Sequence, residues 1–162
     1  MAQNEVKVCK IFSFDSAHQL VNHKGKCANV HGHTYKLEVN LKAEPILSEG
    51  STDEGFVIDF SDLKAIVKEE VINEFDHAFI AQGNEPSYET IKNSGSKVCL
   101  LGFRTTVENM ATYICWKLAK RNLPVHSVKL WETPTGWAEV LYEDIPEKGP
   151  LFLTKMSGAF NE

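Results

Sequence analysis

The chain has 162 residues, 43% of them hydrophobic and 24% charged, with 10 Gly and 6 Pro, a length and balance that fit one hydrophobic core and exclude a disordered or collagen-like chain. With 17 Lys and Arg against 22 Asp and Glu the net charge is −5, without the cationic surface that a nucleic-acid partner demands. No run approaches the ~20 apolar residues of a membrane span and the start, Met1-Ala2-Gln3-Asn4, lacks a signal-peptide core, so a cytoplasmic protein with no membrane partner is expected.

In chain order, Lys7 to Phe14 is rich in branched and aromatic residues and predicts a strand with Phe12 and Phe14 on one face. Tyr35, Leu37, Val39 and Leu41 alternate with Thr34, Lys36, Glu38, Asn40 and Lys42, which predicts a second strand with one apolar and one wet face. Pro45 to Gly55 has turn composition. Leu63, Ile66, Val67, Val71 and Phe75 recur at helical steps, with Asp59 or Ser61 available as N-cap. Ala81 to Gly102 is polar, with a short apolar patch at Val98 to Leu101, and reads as a long excursion. A second helical stripe, Val107, Met110, Ala111, Ile114, Cys115 and Leu118, follows Thr105-Thr106-Val107-Glu108, which has capping-box spacing. Val125 to Glu132 and Trp137 to Glu143 predict two strands joined by the turn Thr133-Pro134-Thr135-Gly136. The tail from Ile145 is irregular. The order β-β-α-α-β-β predicts a single α+β domain with an antiparallel sheet.

His31-Gly32-His33 carries the strongest chemical signal. Alternate residues entering a strand project the same way, and these two share the parity of Tyr35 and Leu37, so both imidazoles can meet one metal ion. His18 shares the parity of Phe12 and Phe14 and supplies a third ligand if its strand pairs with theirs. Three imidazoles leave a coordination position open, the catalytic arrangement. His23 is either a fourth ligand or a loop residue. Cys27, flanked by Lys24 and Lys26, is either a base or nucleophile or a fourth ligand. Cys9, Cys99 and Cys115 lie among apolar residues and read as packing. Asp76-His77 is either an oriented acid–base pair or a helix end. Glu132 ends the apolar face set by Val128 and Leu130, where a carboxylate wants a partner and could accept paired N–H donors from a guanidine-like heterocycle. Glu108 either touches a ligand or caps.

The ordered set Phe14-Asp15-Ser16-Ala17-His18, Cys27-x3-His31-Gly-His33, Asp76-His77, Thr105-Thr106-x-Glu108-Asn109 and Trp131-Glu132-Thr133 resembles the 6-pyruvoyl-tetrahydropterin synthase family over about residues 6–143. The three residues between Cys27 and His31 resemble its bacterial branch that makes 6-carboxy-tetrahydropterin in queuosine biosynthesis. The resemblance implies a tunnelling fold, a four-stranded antiparallel sheet with two helices on one face, assembled as a hexamer of two trimers with active sites between subunits. It implies zinc on His18, His31 and His33, Cys27 transferring protons with Asp76 and His77, and Glu132 anchoring the pterin near Thr106 and Glu108. The implied substrate is 7,8-dihydroneopterin triphosphate, and the pyruvoyl product is the alternative.

Two other readings stay open. Gly25-x5-His31-x-His33-x4-Glu38 matches much of a cupin motif, although Glu38 has the opposite parity to the histidines and two helices suit a jelly roll poorly. A non-enzymatic module stabilised by zinc would use Cys27 as the fourth ligand.

Overall fold

The computed structural model describes residues 4–83 and 85–153. Strands β1 (Val6–His18) and β2 (His31–Ala43) pair antiparallel from Val6↔Ala43 to His18↔His31. Alternation sets their faces: Phe14, Ser16, His18, Tyr35, Leu37, Val39 and Leu41 are buried, whereas Ile11, Ser13, Thr34 and Lys36 are exposed. Cys9 shares the outer face of β1 and is exposed, so its expected packing role is corrected. Cys99 and Cys115 are buried.

Asp59 caps the first helix by accepting the Ser61 amide at 2.6 Å. The helix runs as α1 (Phe60–Val67), widens to a π turn over Lys68–Ile72 and resumes as α2 (Asn73–Phe75). Leu63, Val67, Val71 and Phe75 are all 0% exposed. Residues spaced by four drift by about 40° per step around an α-helix, and the wider π turn takes up that drift, keeping the row on the core.

Next come β3 (Ala78–Ala81), α3 (Pro86–Asn93), β4 (Val98–Leu100), α4 (Val107–Ala119), β5 (Val125–Thr133) and β6 (Gly136–Leu141). The sheet order is β4-β3-β1-β2-β5-β6. This corrects the expected four-stranded antiparallel sheet and its β-β-α-α-β-β order: the sheet has six strands and is mixed, because β3 runs parallel to β1 and β4 parallel to β3. All four residues of β3 are buried, so it carries no alternation to announce it. The excursion expected as loop over Ala81 to Gly102 therefore starts on the last residue of β3 and holds α3 and β4. Within the sheet β1, β2, β5 and β6 are neighbours and antiparallel.

Met110, Ile114 and Leu118 of α4 join Leu37, Val39 and Leu130 in the core. The cap of α4 is Thr106, accepting the Asn109 amide at 3.4 Å, which corrects the expected Thr105–Glu108 box. The tail is tied down as far as Leu153, with the Phe152 ring 4.5 Å from that of Phe103; its remaining residues lie outside those described. No described helix is long and apolar enough to cross a membrane.

Candidate active site

At the end of the β1–β2 ladder next to the connecting loop, His18 lies opposite His31 and Ser16 opposite His33. The register therefore brings three imidazoles onto the inner face, their ligand nitrogens all within 4.8 Å of one another. His18 Nδ1 is 2.9 Å from the Thr105 carbonyl, and His31 Nδ1 is 2.7 Å from that of Asn29. A carbonyl only accepts, so both rings carry their proton on Nδ1 and present the Nε2 lone pair inward. Those two Nε2 atoms are 3.1 Å apart, and His33 Nε2 is buried with no hydrogen-bond partner among the described residues. Facing lone pairs and an orphaned buried nitrogen are unfavourable alone and are satisfied together by a cation. The donor set fits a divalent metal ion, and the three histidines could hold one. Burial pushes His18 down to about 4, with His31 and His33 adding to the fall, and burial also lowers His33. Both shifts, at His18 and His33, favour the neutral ring that metal ligation requires.

Glu132, the last inner-facing residue of β5, brings Oε1 to 3.6 Å from His18 Nε2 and 3.8 Å from His33 Nε2. Burial raises its carboxyl and the charge of Glu108 adds to this, while His31 opposes it. Glu108 is exposed in the first turn of α4 and Thr106 caps that helix, so the α4 N-terminus closes the same end of the sheet. Gly32, His33, Thr34, Lys36, Trp131 and Glu132 border a cleft of about 560 Å³.

Cys27 is half-buried in a short 3₁₀ turn, Lys26–Ala28, and stands outside the three-histidine group. Among the described residues, the group that could hold one ion is the three histidines without Cys27. His23 is folded against Gly25 in its own loop and likewise stands outside. Glu38, the residue the cupin reading needs, accepts from Trp131 Nε1 and Lys36 Nζ, both at 2.9 Å, on the outer face.

Asp76 and His77 do touch: His77 Nδ1 is 3.0 Å from Asp76 Oδ2. Asp76 Oδ1 accepts the Asp15 amide at 3.0 Å, and this bond leads in holding its carboxyl low. His77 is 79% exposed and adopts φ of 57°, the left-handed region. Among the described residues no hydrogen bond joins His77 to the three histidines, Cys27 or Glu132.

The sequence reading missed the Asn29 and Thr105 carbonyls, which carry no residue-type signature. It also missed Thr34, whose hydroxyl donates to Asp15 Oδ1 at 2.5 Å; Asp15 and Thr34 are register partners, which is the signal that could have found them. Tyr35 is 0% exposed, packs against His33 and His18 at ring distances of 5.5 and 6.4 Å, and its hydroxyl has no described partner.

The family profile described as 6-pyruvoyl tetrahydropterin synthase matches residues 7–143. A Haemophilus influenzae protein named 6-carboxy-5,6,7,8-tetrahydropterin synthase is 44% identical over 82% of this chain and 96% of its own length. A Rickettsia conorii protein of the same name is 33% identical over 83% and 99%. Among solved structures, the Caenorhabditis elegans 6-pyruvoyl tetrahydropterin synthase aligns with a TM-score of 0.64 at 25% identity, covering 87% of this chain and 98% of that one. With this breadth of match and a site built from the matched residues, the chain belongs to the 6-pyruvoyl tetrahydropterin synthase family.

Proposed function

We propose that the protein is a cytoplasmic, zinc-dependent 6-carboxy-5,6,7,8-tetrahydropterin synthase, converting 7,8-dihydroneopterin triphosphate to 6-carboxytetrahydropterin, acetaldehyde and triphosphate in queuosine biosynthesis. The observation that carries this is the trio of imidazoles whose ligand nitrogens lie within 4.8 Å of one another, two of them with Nδ1 on a backbone carbonyl, in a chain 44% identical to a relative bearing that name. His18, His31 and His33 would hold the ion, which supplies a Lewis acid with an open position for the oxygens of the substrate side chain.

The chain's own residues do the rest. Cys27 removes and returns a proton at the substrate side chain, its thiolate acting as the base. His77, oriented through Nδ1 by Asp76, exchanges protons at Nε2. Glu132 accepts paired N–H donors from the pterin ring and fixes it at working distance, with Thr106 and Glu108 beside it. Among the described residues no hydrogen bond joins His77 to Cys27, and in the hexamer of two trimers proposed here a neighbouring copy would complete the relay.

Mass analysis of the products formed from 7,8-dihydroneopterin triphosphate tests the reading. Acetaldehyde with a carboxylated pterin supports it; a pyruvoyl product without acetaldehyde moves the chain to the other branch. Cys27→Ala should keep its zinc and lose turnover. Loss of zinc and unfolding in that variant would instead make the site structural.

A further inference from the structure

The excursion between β3 and α4 has no role in the chemistry above, yet it reaches the turn that carries Cys27. Gln19 follows His18 directly. Its side-chain Nε2 donates to the Ala28 carbonyl at 2.8 Å, and its Oε1 accepts from Ser87 Oγ at 2.5 Å. Ser87 stands in the first turn of α3, after Pro86. An amide has one accepting and one donating end. The Ala28 carbonyl only accepts and so takes the amide nitrogen, which leaves the oxygen to the Ser87 hydroxyl; the excursion thus holds the other end of the Gln19 amide and limits where it can move.

Among the described residues, few other hydrogen bonds hold that turn to the body of the protein. The Leu20 amide donates to the Cys27 carbonyl at 2.9 Å, and the Asn29 carbonyl accepts from His31. The remaining bonds, Ala28 to Gly25 and Asn29 to Lys26, are internal to the turn. Gln19 thus grips the residue between Cys27 and Asn29, the two positions that matter to proton transfer and to the His31 ring.

We propose that Ser87 and Gln19 form a positioning bridge by which α3 sets the place of the Cys27 turn relative to the three histidines. This rests on the function assigned to Cys27 above. The bridge touches neither substrate nor metal and acts on the rate of proton transfer through Cys27.

The test uses the zinc-loaded full chain, with Ser87→Ala, Ser87→Thr and, as a control elsewhere on α3, Lys92→Ala. Two readouts are taken: steady-state kinetics with dihydroneopterin triphosphate, and the rate of Cys27 alkylation by iodoacetamide, resolved by peptide mass analysis. Losing one hydrogen bond from a defined geometry should lower kcat of Ser87→Ala roughly fivefold to tenfold. KM and zinc content should stay unchanged, and Cys27 should alkylate several times faster; Ser87→Thr and Lys92→Ala should match the wild type. Wild-type kcat and alkylation rate in Ser87→Ala would overturn the bridge, as would a fall in kcat accompanied by zinc loss. A wild-type protein that does not turn the substrate over defeats the function assigned above, while the alkylation rates still decide whether the bridge exists.

Discussion

At the residue scale, the site is a set of groups whose needs are left unmet until something binds. His18 is the clearest case. Its imidazole goes from the ordinary 6.5 to about 4 on burial, so the unfolded chain binds a proton more readily than the folded one. That contribution to stability is complete above pH 6.5 and is lost as pH falls toward 4, on the order of 3 kcal/mol if the whole shift acts on folding. Urea unfolding of the chelated protein should show this slope across that window, and His18→Gln should flatten it. Tyr35 gives a second test. A buried hydroxyl without a partner costs free energy that a ring of the same shape does not, so Tyr35→Phe should leave the chelated protein as stable or about 1 kcal/mol more so. Clear destabilisation would mean that the hydroxyl is satisfied in the free protein. Glu132→Gln retains size but loses charge, and should raise KM at least tenfold with zinc stoichiometry intact; an unchanged KM would remove it as the ring anchor.

Elements were legible in proportion to how regularly they expose one face. β1 and β2 alternate along their length, and that period alone placed His31 and His33 together with Tyr35 on the inner face. The helix row from Leu63 to Phe75 was equally plain, but nothing in it announced the π turn at Lys68–Ile72, which arises from packing. β3 and β4 have four and three residues and were not predicted as strands, because pairing across a parallel ladder needs no local pattern. Thr105 and Thr106 show the limit within two residues: spacing from Glu108 favoured Thr105, whereas the structure uses Thr105 for its carbonyl on His18 and Thr106 for the cap. Thr106→Ala should therefore cost about 1 kcal/mol in urea unfolding and Thr106→Asn much less. A negligible loss in the alanine variant would mean that the cap contributes nothing.

For the whole molecule, what one chain lacks is as informative as what it holds. The trio of histidines with Glu132 lies on the inner face, while the Asp76–His77 pair is anchored to the backbone of Asp15, an outward-facing position. If a second copy supplies His77 to the first copy's Cys27, then inactive Cys27→Ala and His77→Ala proteins, unfolded together and refolded, should recover a fraction of wild-type turnover, since mixed assemblies contain some intact pairings. No recovery would confine the relay to one chain. Sedimentation of the wild type should give the mass of six chains. The exposed Ile11 and Trp137, 57% and 47% accessible, lie on the outer face where neighbouring copies could cover them.

The uninterrupted ladder from Val6↔Ala43 to His18↔His31 also decides which lengths of chain can vary. Inserting or deleting one residue in the connection that follows His18 and precedes His31 leaves all three rings on one face, although it would move the turn that carries Cys27. The same change inside either strand would carry one set of rings to the opposite surface while the other stayed put, dismantling the centre in a single genetic event without removing any of its histidines.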